Sequence, residues 1–161
     1  MLFEQGPYKL DIAADRTRHF YESHSHGSCT CPGCRNFLEA YPLLPEEVKQ
    51  FFRQFGVDIA QPEELSPIYS PDGTMTFYDG AYLVCGTILE GKEPYIRTGD
   101  RQFQPNAQYV LKLTGDAFVI FTQLYGMPDA DFPQPAFRME FQCALPWVLK
   151  ESNPYHFTEP K

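Results

Sequence analysis

The sequence predicts an α+β fold: an N-terminal strand and short helices around a cysteine-rich loop, followed by an antiparallel β-sheet or β-sandwich. Three observations carry this reading. Val48, Phe51, Phe52 and Phe55 recur at i, i+3, i+4 and i+7, one apolar helical stripe. After residue 65, short extended segments alternate with Pro-, Asp- and Gly-rich turns, the pattern of antiparallel strands. The helical patterns stay in the first third of the chain, so helices and strands are segregated rather than interleaved. The 161 residues suit a single domain over residues 1–150. Residues 151–161 read as a loosely held C-terminal tail.

The elements follow in order. Tyr8-Lys-Leu-Asp-Ile-Ala alternates apolar and polar residues, the period of a half-buried strand. Asp15 can cap a short helix over residues 16–23, although His19-Phe20-Tyr21 also suits a strand. Residues 24–33 are rich in Gly, Ser, Thr and Pro and read as a loop. Arg35-Asn-Phe-Leu-Glu-Ala-Tyr then forms a short helix that Pro42 ends. In the next helix Pro45 occupies the first turn, Glu46 and Glu47 favour the positive N-terminal end, and Gly56 closes it.

Turns are read at Pro71-Asp72-Gly73, at Asp79-Gly80 before a strand over residues 81–89, and at Glu90-Gly91. Residues 109–113 and 117–123 make a hairpin across Thr114-Gly115-Asp116. A Pro-rich loop over residues 126–135 leads into a last strand over 136–143. There Phe137, Met139 and Phe141 alternate with Arg138, Glu140 and Gln142, one buried face and one polar face. Aromatic residues make up 16% of the chain, enough to fill an interface between sheet and helix. Trp147, just after the last strand, reads as a lid on the end of the core, with a partner anchor as its functional alternative.

Charge and cysteine content narrow the function. Thirteen Lys and Arg against 21 Asp and Glu leave a net charge of −8, which disfavours nucleic acid and anionic membrane surfaces as partners. No apolar run approaches the roughly 20 residues that span a bilayer. The first residues lack a basic region followed by an apolar one, so a cytoplasmic location is expected. The five cysteines are odd in number and three fall within six residues, which suits reduced or metal-bound thiols rather than a disulfide framework. Cys85 and Cys143 lie in strand-like segments and read as small buried hydrophobes.

One segment concentrates soft ligands: His24-Ser-His26-Gly-Ser-Cys29-Thr-Cys31-Pro-Gly-Cys34. Zinc takes four nitrogen or sulfur ligands in a tetrahedron, and Cys29, Cys31 and Cys34 with His24 or His26 would supply a Cys3His set. Most structural zinc sites join two separated ligand pairs, whereas these candidates share one loop. A second reading is redox, because Cys-Pro-Gly-Cys opening a helix lowers a thiolate pKa. A third is a reduced loop with Cys34 packed under the helix and Arg35 and Asn36 bonding nearby carbonyls. All three stay open at this level.

Other motifs are missing: no Gly-rich phosphate loop, no Gly-x-Ser-x-Gly elbow and no His-Glu-x-x-His helix. Asp129-Ala-Asp131 is a fragment of a calcium loop without its remaining oxygens, and reads as a solvated acidic loop. Glu46/Glu47 reads as helix N-terminal charge and Glu63/Glu64 as a solvated turn.

Several stretches together resemble a family of small uncharacterised bacterial proteins. They are Cys29-Thr-Cys-Pro-Gly-Cys-Arg-Asn-Phe37, Phe55-Gly-Val-Asp-Ile-Ala-Gln-Pro-Glu63, and Pro135-Ala-Phe-Arg-Met-Glu-Phe141 with Leu145-Pro-Trp-Val-Leu149. No activity attaches to that family, so no catalytic residue carries over. The resemblance implies that the cysteine loop, the helix and the Leu-Pro-Trp-Val-Leu ending belong to one domain.

Two functional classes follow. The favoured one is a cytosolic, non-catalytic protein-interaction domain of adaptor, regulatory or immunity type. It would bind a basic protein partner and carry a structural zinc in the Cys29–Cys34 loop. The other is a metal- or thiol-dependent enzyme that uses the same loop.

Overall fold

Alternation at the N-terminus builds a hairpin rather than a lone strand. In the computed structural model, which describes residues 1–24, 29–124 and 131–156, β1 (Leu2–Gln5) pairs antiparallel with β2 (Tyr8–Ile12). Tyr8, Leu10 and Ile12 enter the core, as their spacing predicts. β1 buries only Phe3, so it has no alternation to reveal it.

Helix α1 (Ala14–Ser23) starts without a side-chain cap. Asp15 instead lies in its first turn and pairs with Arg18 at 2.7 Å. Helix α2 (Pro32–Ala40) begins three residues before the predicted Arg35, because Pro32 accepts a first-turn position and the Cys31 sulfur caps it. A short 3-10 turn follows at Tyr41–Leu43. Helix α3 (Glu46–Gln54) begins after Pro45 and carries the foreseen stripe: Val48, Phe52 and Phe55 are buried and Phe51 packs against them.

The strands are β3 (Glu64–Tyr69), β4 (Met75–Glu90), β5 (Tyr95–Gly99), β6 (Gln102–Pro105), β7 (Leu111–Lys112), β8 (Phe118–Gln123) and β9 (Ala136–Pro146). Among the described residues they form one antiparallel sheet of seven strands in the order β1-β2-β4-β9-β8-β7, with β3 also on β4, and a separate β5–β6 hairpin. The α+β class predicted from sequence is therefore the one found, with one main sheet among the described residues.

The Asp79-Gly80 pair, marked as a turn by its residue types, lies inside the 16-residue β4. Asp79 pairs with Ser66 and Gln142, and Gly80 with Leu65 and Phe141. Ladders on both edges override a local turn preference. Farther on, β4 exchanges neighbours: β3 lies along residues 77–81 and β2 along 86–90. Gly86 makes this exchange possible, with φ +146° and an Asp11 carbonyl where a Cβ would stand, 2.1 Å away. The β5–β6 hairpin escaped the sequence reading because its strands have little buried surface, so no hydrophobic period marks it.

Between its two neighbours the edge of β4 is completed by side chains of α1. The Tyr21 hydroxyl accepts from Leu83 N (3.1 Å) and donates to Leu83 O (2.9 Å). Thr17, fully buried, accepts from Cys85 N at 2.9 Å and donates to Ala13 O, while Ala13 N donates to Cys85 O. Buried backbone groups need such partners, which explains a buried threonine in an otherwise apolar contact.

The helices cover one face of the sheet. Phe137, Met139, Phe141, Cys143 and Leu145 of β9 are buried on that side. Phe52 meets Phe141 and Tyr82 edge-on at 4.8 and 5.1 Å, and Phe37 meets Tyr78 at 5.4 Å. Cys85 and Cys143 are buried, as read. Among the described residues no helix is long and apolar enough to cross a membrane.

The chain end departs from the loose tail read from sequence, as far as it is described. Asn153 Nδ2 donates to Thr76 Oγ1 (2.8 Å), the Tyr155 carbonyl accepts from Ser70 N (2.9 Å), and Glu151 pairs with Arg35 at 2.5 Å. Polar bonds make this attachment, so hydropathy does not disclose it. Trp147 is part of it: its indole N–H donates to Glu151 O and its ring meets Tyr155 at 6.1 Å. It anchors the last segment instead of closing the core.

Candidate metal centre

The cysteine loop gains its shape from the way α2 starts. Cys31 keeps an extended backbone (φ −64°, ψ 156°), Pro32 enters the helix, and the Cys31 sulfur accepts from Cys34 N at 3.4 Å. The Cys29 sulfur accepts from Cys31 N at 3.5 Å. Two consecutive sulfur caps fold the segment inward on itself. Arg35 Nε closes it from below by donating to Thr30 O at 3.1 Å.

The start of α2 is fastened to the sheet. Gly33 allows this approach: a Cβ there would stand 2.6 Å from the Pro67 ring and 2.9 Å from the Tyr155 hydroxyl. Its N–H donates to that hydroxyl and its carbonyl accepts from the Tyr78 hydroxyl. Asn36 is wholly buried one turn on. Its Nδ2 donates to the Tyr78 hydroxyl and to Pro146 O, both at 3.1 Å, and its Oδ1 accepts from Val148 N at 2.8 Å. Every polar atom of that side chain is satisfied, which burial requires.

The three sulfurs of Cys29, Cys31 and Cys34 lie within 4.8 Å of one another, close enough to hold a metal ion, and none forms a disulfide. Cys29 is exposed, Cys31 half-buried and Cys34 buried. Their chemistry differs accordingly. Burial alone would raise the Cys31 thiol, but the Cys34 N–H, with hydrogen bonds to Cys29, Cys34 and Tyr155, outweighs it and brings the thiol down to about 7. Burial, then the neighbouring Cys31 and Cys29, push Cys34 up to about 12. The arrangement can therefore present three soft donors to a thiophilic cation, or one reactive thiolate beside a protonated thiol.

Of the predicted ligands, the fold brings together the three cysteines. His24 lies outside this group: its ring stacks on Phe20 at 4.1 Å with Nδ1 3.0 Å from Phe20 O. His26 and Asp129 lie outside the described residues. Tyr155 and Asn36 hold the site in place; Asn36 was read only as bonding a nearby carbonyl, which it does at Pro146, and Tyr155 was not singled out. Tyr155 is distant in sequence and carries no local mark. Asn36 did carry one, a polar residue within the buried stripe Gly33, Cys34, Phe37 and Ala40. Glu63 and Glu64 correct another reading. Both pair with Arg138 of β9, at 3.8 and 2.7 Å, instead of sitting in a solvated turn. Glu46 pairs with Arg53 at the surface, and Glu47 bonds the Thr114 hydroxyl.

No protein-family model, no curated protein and no solved structure matches the chain.

Proposed function

We propose that the chain is a non-catalytic protein-interaction domain whose cysteine loop is closed by a structural zinc ion on Cys29, Cys31 and Cys34. The observation that carries the metal is the convergence of three free sulfurs within 4.8 Å at the start of α2. Thiolates favour zinc, and a closed structural site would need a fourth nitrogen or sulfur ligand to complete its tetrahedron. The ion would join the loop before α2 to the helix, whose bonds to Tyr78, Pro146 and Val148 pass the constraint to the sheet. The net charge of −8 favours a partner with a basic surface, steered by the field.

A second reading is thiol–disulfide exchange by Cys31 and Cys34. It is favoured by Cys31 at the helix cap, its sulfur facing the Cys34 N–H.

Metal content and a native thiol titration on the full chain separate these readings. About one zinc per chain with three masked cysteines, lost in Cys34→Ser, supports the closed site. No metal, a fast-reacting thiol and a Cys31–Cys34 disulfide on mild oxidation favour exchange instead. No metal and uniformly slow thiols overturn both. The partner reading is checked by affinity purification at low and high salt. A recurrent stoichiometric protein released by salt supports it, and none at low salt overturns it.

A further inference from the structure

On the face of the sheet turned away from the helices β9 presents Arg138, Glu140 and Gln142 beside Ala81 and Leu83 of β4, and the β5–β6 hairpin stands over it. The Tyr95 hydroxyl donates to the Glu140 carboxylate of β9 and ties the two together. Between them lies a cavity of about 750 Å³, within the usual range for a small-molecule site. The sheet wall contributes Glu63, Arg138, Glu140 and the end of β8; the hairpin wall contributes Glu93, Tyr95, Arg97 and Phe103.

The charge in this cavity is lopsided. Arg138 is one cation among Glu64 at 2.7 Å, Glu140 at 3.6 Å and Glu63 at 3.8 Å. Arg97 faces Asp100 at 3.4 Å. Glu93 adds a further carboxylate to the wall. An incoming anion would meet surplus negative charge, whereas a cation would be attracted. The Glu63 and Glu140 side chains keep 32% and 26% of their exposure, so they are partly screened from water yet reachable.

The rest of the lining is apolar or aromatic. Phe103 is 65% exposed, and on the hairpin it pairs in register with Arg97, two residues from Tyr95. Pro94 and Leu124 complete this part. Aromatic faces attract organic cations as well as apolar groups. A hairpin whose strands bury little has small structural reason to display a large aromatic side chain toward a cavity.

We propose that this cavity binds a small organic cation, its ammonium or amidinium group against Glu63 and Glu140 and its apolar body against Tyr95, Phe103 and Leu124. The site uses none of the cysteine chemistry and stands whatever the metal content.

The test is a pair of probes with one body and opposite charge, phenethylamine and phenylacetate, titrated into the isotope-labelled full chain at neutral pH and followed by amide resonances. Phenethylamine is expected to give saturable shifts confined to residues 93–97, 122–124 and 138–140. Phenylacetate is expected to bind about tenfold more weakly or not at all, as loss of a charge-assisted contact implies. Glu140→Gln keeps an acceptor for Tyr95 but removes the charge, and Phe103→Ser alters an exposed side chain that the fold does not need. Each is expected to weaken phenethylamine several-fold while the dispersion of the spectrum shows an intact fold. Equal binding of the two probes, no saturable shift with phenethylamine, or binding unchanged in Phe103→Ser overturns the proposal.

Discussion

The two faces of the long sheet are built from alternate residues of the same strands, yet they are held by different physics. On the helix side β9 presents Phe137, Met139 and Phe141, which are buried among other aromatic rings. On the other side it presents Arg138 and Glu140, whose partners are Glu63 and Glu64 at the start of β3 and Tyr95 of a hairpin. Burial on the first face is non-directional and scales with area. Contacts on the second are directional, half solvated and contribute little net stability. The lesson is a division of labour within β9: its helix-side residues supply buried area, whereas Arg138 and Glu140, beside the buried Ala81 and Leu83 of β4, make polar contacts whose chemistry is freer to vary. Substitutions on each side test this division.

The largest effect belongs to the apolar face. Phe141→Ala is expected to cost about 3–5 kcal/mol in a urea denaturation, since the ring is 2% exposed and packs on Phe52. Asn36→Ala comes next, at about 1–3 kcal/mol, because the Val148 N–H and the Pro146 carbonyl lose a buried partner. The same variant is expected to raise the reactivity of the neighbouring Cys34 toward a thiol reagent. Tyr21→Phe is expected to cost about 1–2 kcal/mol, leaving the N–H and carbonyl of Leu83 without their hydroxyl. Arg138→Ala is expected to shift stability by no more than about 1 kcal/mol, since its closest partner, Glu64, is an exposed surface acid. A loss as large as that of Phe141 would show that the polar face also carries the fold.

The cysteines sharpen the contrast by pH. Burial pushes Cys143, on the apolar face, up to about 12, and it is expected to resist iodoacetamide throughout the neutral range. In chelator-treated protein Cys31 is expected to alkylate with a midpoint near pH 7. Its folded value lies below that of an ordinary thiol. The stability its thiolate contributes is therefore present above the ordinary thiol range and lost as pH falls through about 7. Cys34 has the opposite sign: its contribution is present below the ordinary thiol range and lost as pH rises through about 12. Mapping of alkylated peptides across pH checks all three.

What could be read along the chain depended on how far each interaction reaches. The stripe Val48, Phe51, Phe52 and Phe55 and the alternation of β9 are local periods, so both elements were legible. The cysteine cluster was legible because its donors share one short segment. Asp79-Gly80 misled because its turn chemistry is local, whereas the ladders that straighten it come from Leu65 and Phe141. The ties of Tyr155 to Gly33 and of Arg138 to Glu64 join residues far apart through polar atoms, and no window of sequence displays them. The β5–β6 hairpin stayed hidden for a different reason. Strands without a buried face leave no pattern.

The place of β9 has a consequence for synthesis. It is the last strand of the described chain, yet it lies between β4 and β8. A polypeptide emerging from the ribosome has by then produced two part-sheets with no strand to join them. Their aromatic faces and unpaired inner edges await residues 136–146, and such edges invite pairing with other chains. Tyr155, which braces the Cys31–Cys34 turn, is translated later still. A prematurely terminated chain would therefore leave the Cys31–Cys34 turn without the Tyr155 brace.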